Sequence, residues 1–180
     1  MTHDPKAIDL SRLQISEIRS GDCTRRFHCG VNDIDSWAST KAFRRHQQDR
    51  TRVFCARLGT NAPVVSFYSL SFSALGSKLL FAQHGDRYPD GYAPFIYIDW
   101  LAVALSHQRN GIGRIMLMNA LQRAFFVSNH VPFYGVALRS LNDKTTKFYH
   151  KMGFVQRESA QHPLMILPIW TIRDLFGKPQ

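Results

Sequence analysis

The stretch that most constrains the fold is one in which an apolar strand leads into a glycine turn and then a long helix. Residues 95–103 (FIYIDWLAV) are mostly apolar and are typical of a strand. The turn at 108–113 has the sequence QRNGIG, and residues 114–127 follow as a long amphipathic stretch. Strands come first along the chain and then alternate with helices, which predicts a mixed α/β sheet.

The turn has the composition of an anion site. Glycines at 111 and 113 let backbone N–H groups face one point with no Cβ in the way. The helix that follows directs the positive end of its dipole to the same point, so the turn can hold a pyrophosphate. Taken alone, a G-x-G pattern is more typical of an ordinary tight turn.

The remaining elements follow from periodicity and turn residues. The sequence predicts strands at 9–19, 52–58, 64–73, 95–103, 133–138, 154–156 and 164–168. It predicts a helix capped by Asn32 or Asp33, helices at 113–129 and 143–152, a last helical turn at 170–176, and a polar loop at 83–94. With 180 residues and 44% hydrophobic content, we expect residues 1–180 to form one domain with a sizeable core.

Further motifs complete a recognisable set. Leu-Ala-Val stands at 101–103, Asn142 comes later, and residues 148–154 read FYHKMGF. With the glycine turn, these resemble the acetyl-CoA site of the GNAT acetyltransferases. The resemblance implies an N-acetyltransferase with acetyl-CoA as cofactor. It also implies the GNAT fold, an α/β fold whose mixed central β-sheet has a splayed acetyl-CoA-binding strand pair flanked by helices.

The resemblance assigns roles residue by residue. The cofactor-binding residues are Leu101, Ala102, Val103, Gln108, Arg109, Asn110, Gly111, Ile112, Gly113, Arg114 and Asn142. Strand-end backbone groups would bond the pantetheine, and the amides and arginines of the turn would hold the pyrophosphate. Tyr149 would be the general acid that protonates the departing thiolate, since a phenol with a reference pKa near ~10 stays protonated at neutral pH. No histidine has the spacing of a metal ligand, so no metal is expected.

A narrower branch is indicated by the opening and the end of the chain. Phe27-x-Cys29-Gly30, the strand at 65–70 and the ending at 164–168 resemble toxins of type II toxin–antitoxin systems of the TacT/AtaT type. The likeness runs from about Cys23 to Phe176. It implies acetylation of the α-amine of aminoacyl-tRNA, which blocks translation, and a small acidic DNA-binding antitoxin as partner. A homodimer is left open.

The charge balance points to a polyanionic partner. Lys and Arg total 23 against 13 for Asp and Glu, which gives a net charge of +10. The segment 41–57 contains Lys41, Arg44, Arg45, Arg50, Arg52 and Arg57 against Asp49 alone. We expect Lys41, Arg44, Arg45 and Arg50 to bind tRNA. Trp100 is expected on the acceptor side, where the branch usually has arginine.

Two other readings remain open at this stage. In the first, a small-molecule or protein amine is the acceptor, and Trp100 with the aromatic run at 92–97 forms an apolar pocket. In the second, the chain binds acyl-CoA without transferring it. The central strand offers only Tyr97 and Asp99 as a general base. A weak base favours an α-amine, with a reference pKa of about 7.7–8.0, over a lysine at about 10.4.

Location follows from simple features of the chain. Three cysteines without a C-x-x-C pattern indicate neither a disulfide framework nor a zinc site. No apolar run approaches the ~20 residues that span a bilayer, and residues 1–13 contain charges rather than the apolar core of a signal peptide. The sequence therefore predicts a cytoplasmic protein with no membrane contact.

Overall fold

The computed structural model describes residues 8–22 and 27–177. The strands are β1 (Leu13–Glu17), β2 (Arg52–Leu58), β3 (Val64–Gly76), β4 (Tyr92–Val103), β5 (Gly135–Arg139), β6 (Val155–Gln156) and β7 (Leu164–Pro168). The helices are α1 (Asn32–Thr40), α2 (Ala42–Gln47), α3 (Ile112–Ser128), α4 (Asp143–Lys151) and α5 (Ile169–Phe176). Within these residues, no helix combines the length and the apolar composition needed to cross a membrane.

The strands form a mixed sheet in the order β1-β2-β3-β4-β5-β7-β6. β1 and β2, β2 and β3, β5 and β7, and β6 and β7 pair antiparallel, whereas β4 and β5 pair parallel. The parallel register runs from Phe95 opposite Gly135 to Tyr97 opposite Ala137, and β4 continues beyond it to Val103. The mixed sheet predicted from the sequence is confirmed, and the short parallel register agrees with the expected splayed pair.

The chain divides into two compact units. The first contains the residues up to Leu70 together with Trp100–Asn119, and the second contains Ser71–Asp99 and the residues from Ala120 onward. The divisions fall inside β3, β4 and α3, so these three elements contribute residues to both units.

The first unit is built around an aromatic core. Phe67 is fully buried, Trp37 stacks on it with ring centroids 5.9 Å apart, and Phe27 meets it edge-on at 5.1 Å. Arg57 is also buried in this unit and forms an ion pair with Asp22. Because a buried guanidinium needs a partner, this pair ties the loop after β1 to β2.

The second unit has a core of aromatic and aliphatic side chains around Phe95, Tyr134 and Ile166. Gly135 is required where β5 meets β7, because a Cβ at that position would lie 2.5 Å from the carbonyl oxygen of Leu167. The backbones therefore approach closely there, as glycine in a strand often permits.

Several predicted elements are confirmed, while three boundaries are wrong for local reasons. Asp9 accepts a hydrogen bond from the backbone N–H of Ser11 and caps a 3-10 turn at Leu10–Arg12, so the first strand is shorter than predicted. The N-cap of α1 is Val31, which has no capping side chain, rather than Asn32 or Asp33. The predicted loop at 83–94 contains a 3-10 helix at Ala82–Arg87.

Candidate functional site

The turn between β4 and α3 has the backbone geometry of a tight connection. A 3-10 turn at Leu105–His107 follows the strand, and α3 begins at Ile112. Gly111 has a φ of +81°, and Arg109 has a φ of +65°, in the left-handed region that non-glycine residues rarely adopt. An exposed arginine held in this conformation is the kind of local strain that concentrates at binding sites.

The N-terminus of α3 can bind an anion. Its first hydrogen bonds are donated by the backbone N–H groups of Arg114 and Ile115, both to the carbonyl of Gly111. The amides of Ile112 and Gly113 precede this ladder and, as first-turn amides, have no acceptor within the helix. Arg109 and Arg114 are exposed on either side of these amides in the sequence. Free amides at a helix N-terminus with cations nearby are the arrangement that favours anion binding in proteins.

Two residues that were predicted to bind the cofactor also support the turn through their side chains. The side-chain amide of Gln108 donates to the carbonyl oxygens of Cys29 and Val103, each at 3.0 Å. The side-chain amide of Asn110 donates to the carbonyl of Gln108 at 2.9 Å. The side chains of both residues therefore fix the backbone of the turn, and the predicted role of the turn amides in binding the cofactor stays a prediction.

The end of β4 presents backbone groups on two sides. The carbonyl of Ala102 accepts from the hydroxyl of Ser66 at 2.7 Å, and the N–H of Ala104 donates to the carbonyl of Val65 at 2.8 Å. These two residues thus direct polar groups toward β3. By the alternation of a strand, Leu101 and Val103 direct theirs to the opposite edge. That is the edge where the sequence places the acetyl donor.

Tyr149 lies on α4 and Asn142 is the N-cap residue of this helix, both in the second unit. The Oδ1 of Asn142 accepts from the backbone N–H of Thr145 at 3.1 Å, and both residues form a capping box at the helix start. This oxygen therefore serves as a helix cap, a role that the sequence prediction of a cofactor contact did not include.

Tyr149 is a buried aromatic residue whose hydroxyl has no hydrogen-bond partner among the residues that the structure describes. Its ring meets those of Phe148 and Phe154 edge-on, with centroids 5.2 and 5.6 Å away. Burial raises the pKa of the phenol above its ordinary value. The group therefore stays protonated through the physiological range, as a general acid must.

Four of the predicted tRNA-binding residues lie together on the surface of the first unit. A concavity at α1 and α2 is lined by Trp37, Lys41, Arg44, Arg45, Gln48 and Arg50. The other two cations of the segment are engaged elsewhere, because Arg52 pairs with Asp49 at 2.6 Å and Arg57 is buried against Asp22. The run of six cations therefore divides into a basic surface of four residues (Lys41, Arg44, Arg45 and Arg50) and two paired arginines.

Trp100 packs against one of the residues that line this concavity. Its ring packs against Trp37 with centroids 5.9 Å apart, and Trp37 itself lines the basic concavity. The residues of the aromatic run at 92–97 do not share one surface, because Phe95 is fully buried in the core of the second unit while Tyr92 is largely exposed. Asp99, the candidate base, accepts a hydrogen bond from the hydroxyl of Ser71 at 2.9 Å.

The sequence pattern missed the contacts that surround the turn. The motifs assign no role to Asp35, yet its carboxylate accepts from the N–H of Cys29 at 2.7 Å and contacts Nδ1 of His28 at 2.6 Å. The glycine at position 30 was the sequence signal for this contact, because glycine favours a left-handed backbone, and Gly30 has a φ of +88° in the structure.

Comparisons with known proteins identify the family of the chain. A model of the acetyltransferase (GNAT) family matches residues 32–154. A probable TacT toxin of Sinorhizobium fredii is 27% identical over 160 residues, which are 84% of this chain and 87% of that protein. A tRNA-acetylating toxin of Mycobacterium tuberculosis is 24% identical over 150 residues, which are 83% of this chain and 89% of that protein.

A solved structure confirms the fold. It is a tyrosine-to-phenylalanine mutant of the AtaT toxin bound to the C-terminus of the antitoxin AtaR, and it matches with a TM-score of 0.78. The match has 22% identity and covers 93% of this chain and 99% of that one. The GNAT fold expected from the motifs is therefore confirmed.

Proposed function

The chain belongs to the GNAT acetyltransferase family, and from this we propose that it acetylates the α-amine of aminoacyl-tRNA as the toxin of a toxin–antitoxin pair. The observation that carries this acceptor is the basic surface, where Lys41, Arg44, Arg45 and Arg50 line one concavity. Lysines and arginines clustered on one face are what a phosphate backbone requires. A relative that acetylates tRNA supports the same acceptor.

Acetyl-CoA, when bound, supplies the thioester acetyl group and a pyrophosphate. We assign the pyrophosphate to the amides of Ile112 and Gly113, with Arg109 and Arg114 adding positive charge. Backbone groups of Leu101 and Val103 orient the pantetheine and polarise the acetyl carbonyl. Gln108 and Asn110 hold the backbone of the turn in the conformation that presents those amides.

Tyr149 is assigned as the general acid. As the amine nitrogen bonds to the acetyl carbon, the carbon–sulfur bond breaks and the phenol gives its proton to the sulfur of the departing thiolate. The raised pKa of Tyr149 keeps that proton in place until the sulfur needs it. The excess proton on the attacking nitrogen leaves to solvent, and the phenolate of Tyr149 regains a proton from solvent before the next cycle. This route suits an α-amine that is already partly neutral.

The partners and the setting complete the proposal. A small acidic antitoxin would neutralise the enzyme, as the likeness to a toxin solved with its antitoxin supports. We infer that residues 1–180 form a single acetyltransferase domain. An enzyme that acts on charged tRNA would work in the cytoplasm, which is the location we infer.

The experiment is an incubation of the purified chain with labelled acetyl-CoA and total charged tRNA. The label should appear on the amino acid of aminoacyl-tRNA and should be absent when the tRNA is first deacylated. A parallel reaction with polyamines, amino acids and a lysine-rich protein tests the other acceptor class. Label that enters only those amines would overturn the tRNA assignment while leaving the acetyltransferase intact.

A further inference from the structure

A short segment before α1 contacts the donor turn through its backbone. The carbonyl of His28 accepts from the N–H of Leu105 at 2.9 Å, and the carbonyl of Cys29 accepts from the side chain of Gln108 at 3.0 Å. The next residue, Gly30, fits closely, since a Cβ there would lie 3.2 Å from Cδ2 of Leu105. The segment is therefore docked along the residues that lead into the turn.

Asp35 fixes this segment from the first turns of α1. One oxygen of its carboxylate accepts from the N–H of Cys29 at 2.7 Å, and the other lies 2.6 Å from Nδ1 of His28. Asp35 is only partly exposed, and its own N–H donates to the carbonyl of Val31 at 2.9 Å. A carboxylate close to a helix N-terminus is also stabilised by the dipole, so the clamp has a defined geometry.

The two sets of contacts meet at one residue. Cys29 donates its N–H to Asp35 and accepts at its carbonyl from Gln108, and Gln108 in turn donates to the carbonyl of Val103. Its thiol is buried and lies 4.0 Å from the carbonyl of Val31. A continuous line of hydrogen bonds therefore runs from Asp35 through Cys29 to the start of the turn.

We propose that Asp35 is a positioning residue for the acetyl donor, acting through Cys29 and Gln108 on the backbone of residues 108–113. The proposal rests on the donor role assigned to that turn under Proposed function. Asp35 touches no reacting atom. It sets the position of the Cys29 carbonyl, that carbonyl holds Gln108, and Gln108 keeps the amides of Ile112 and Gly113 directed at one point.

The test measures acetyl-CoA affinity by calorimetry in the purified chain. Asp35→Ala should weaken binding by about tenfold, the fold-change that corresponds to one lost hydrogen bond to a charged group. Asp35→Asn keeps an oxygen that can accept from Cys29 and should retain more of the affinity. Asp33→Ala is the matched control, because Asp33 is an exposed acidic residue on the same helix turn.

Kinetics and a double-mutant cycle distinguish a positioning role of Asp35 from a general contribution of Asp35 to the stability of the fold. Asp35→Ala should raise the KM for acetyl-CoA while kcat at saturation stays within about twofold. Gln108→Ala should produce a similar loss, and the double variant should lose less than the two effects combined because both changes break one line of contacts. A purely structural role would lower the melting temperature without this split and without the coupling.

The outcomes are distinguishable from failure of the proposed function. If the wild-type chain binds no acetyl-CoA, the donor assignment itself is wrong. If the wild type binds it and folded Asp35→Ala binds it equally well, only the positioning role is wrong. Should Asp35→Ala fail to fold, Gln108→Ala still decides, since unchanged acetyl-CoA affinity in this folded variant would break the proposed line of contacts and overturn the inference.

Discussion

Asp49 and Arg52 form an ion pair, with 2.6 Å between Oδ1 and Nη2. The pair matters because Asp49 is the one acidic residue of the segment 41–57, and it neutralises a cation outside the basic surface. Arg44 and Arg50 are exposed and Arg45 is half-buried, so these arginines can contribute charge to a ligand at the concavity. The number of cations in the segment 41–57 is therefore larger than the number that a ligand at the concavity can contact.

Replacing Arg44, Arg45 and Arg50 by Glu should weaken tRNA binding, reduce tRNA acetylation and relieve growth arrest. Each phosphate neutralised by a cation contributes about 0.7–0.9 to the slope of log K against log salt, so four cations should give a slope near −3. Affinity for acetyl-CoA should stay unchanged, because these residues lie outside the donor turn.

The matched pair for this prediction is Arg50→Gln against Arg52→Gln. Both arginines are exposed and lie two positions apart, but only Arg50 lines the concavity. Arg50→Gln should lower the magnitude of the salt slope by about one unit, and Arg52→Gln should leave it unchanged. Equal effects of the two variants would mean that tRNA does not use this concavity.

The donor turn can be tested at Gly113, whose backbone lies outside the left-handed region. A Cβ there would lie 3.6 Å from Cγ2 of Val103, an ordinary contact distance, so Gly113→Ala should fold and bind acetyl-CoA. Gly113→Glu should abolish binding, because a carboxylate would occupy the space assigned to the pyrophosphate. Calorimetry on both variants checks this, and a folded glutamate variant with wild-type affinity would exclude the site.

Tyr149→Phe should lower turnover by about 10²-fold or more, which is the usual contribution of a general acid. Acetyl-CoA affinity should change little, since the ring contacts with Phe148 and Phe154 are kept. Stopped assays with charged tRNA and calorimetry on the same preparation give both quantities. Turnover within a few-fold of wild type would assign Tyr149 to packing alone.

The pH dependence of turnover should have one limb. An acid works in its protonated form. Because burial raises the pKa of Tyr149, the loss of turnover that follows its deprotonation should occur above pH 10. The acceptor amine works in its neutral form, so kcat/KM should rise with pH and level off above the pKa of that amine, near or below about 8. A fall in kcat/KM between pH 8 and 10, in protein that remains folded, would contradict the assignment of this phenol.

Much of the fold could be predicted from local patterns. The hairpin of β2 and β3, the β4-turn-α3 unit and the strand β7 follow from alternation, turn residues and glycines. Gly153, which directly follows the helix predicted at 143–152, has a φ of +89°, a conformation that favours glycine at a helix end. These features depend on residues close together in the chain, which is why a single sequence was sufficient.

The site was less accessible to prediction because its contacts are long-range. Arg57 belongs to the basic run by sequence, yet it is buried against Asp22, 35 residues away. Gln108 matches a cofactor motif, yet its side chain bonds a backbone group 79 residues away. Neither partner is marked by spacing or composition, so only the tertiary structure could separate these side chains from those that face a ligand.

Cys29 illustrates how a linking residue can escape notice in genetic data. Its N–H and its carbonyl connect Asp35 with Gln108, and every amino acid supplies both groups except proline, which lacks the N–H. A saturation scan should therefore find that small replacements such as alanine or serine survive at position 29 while proline does not. Position 29 would then tolerate small substitutions although its backbone connects two other residues. Loss of function would be seen at Asp35 and Gln108.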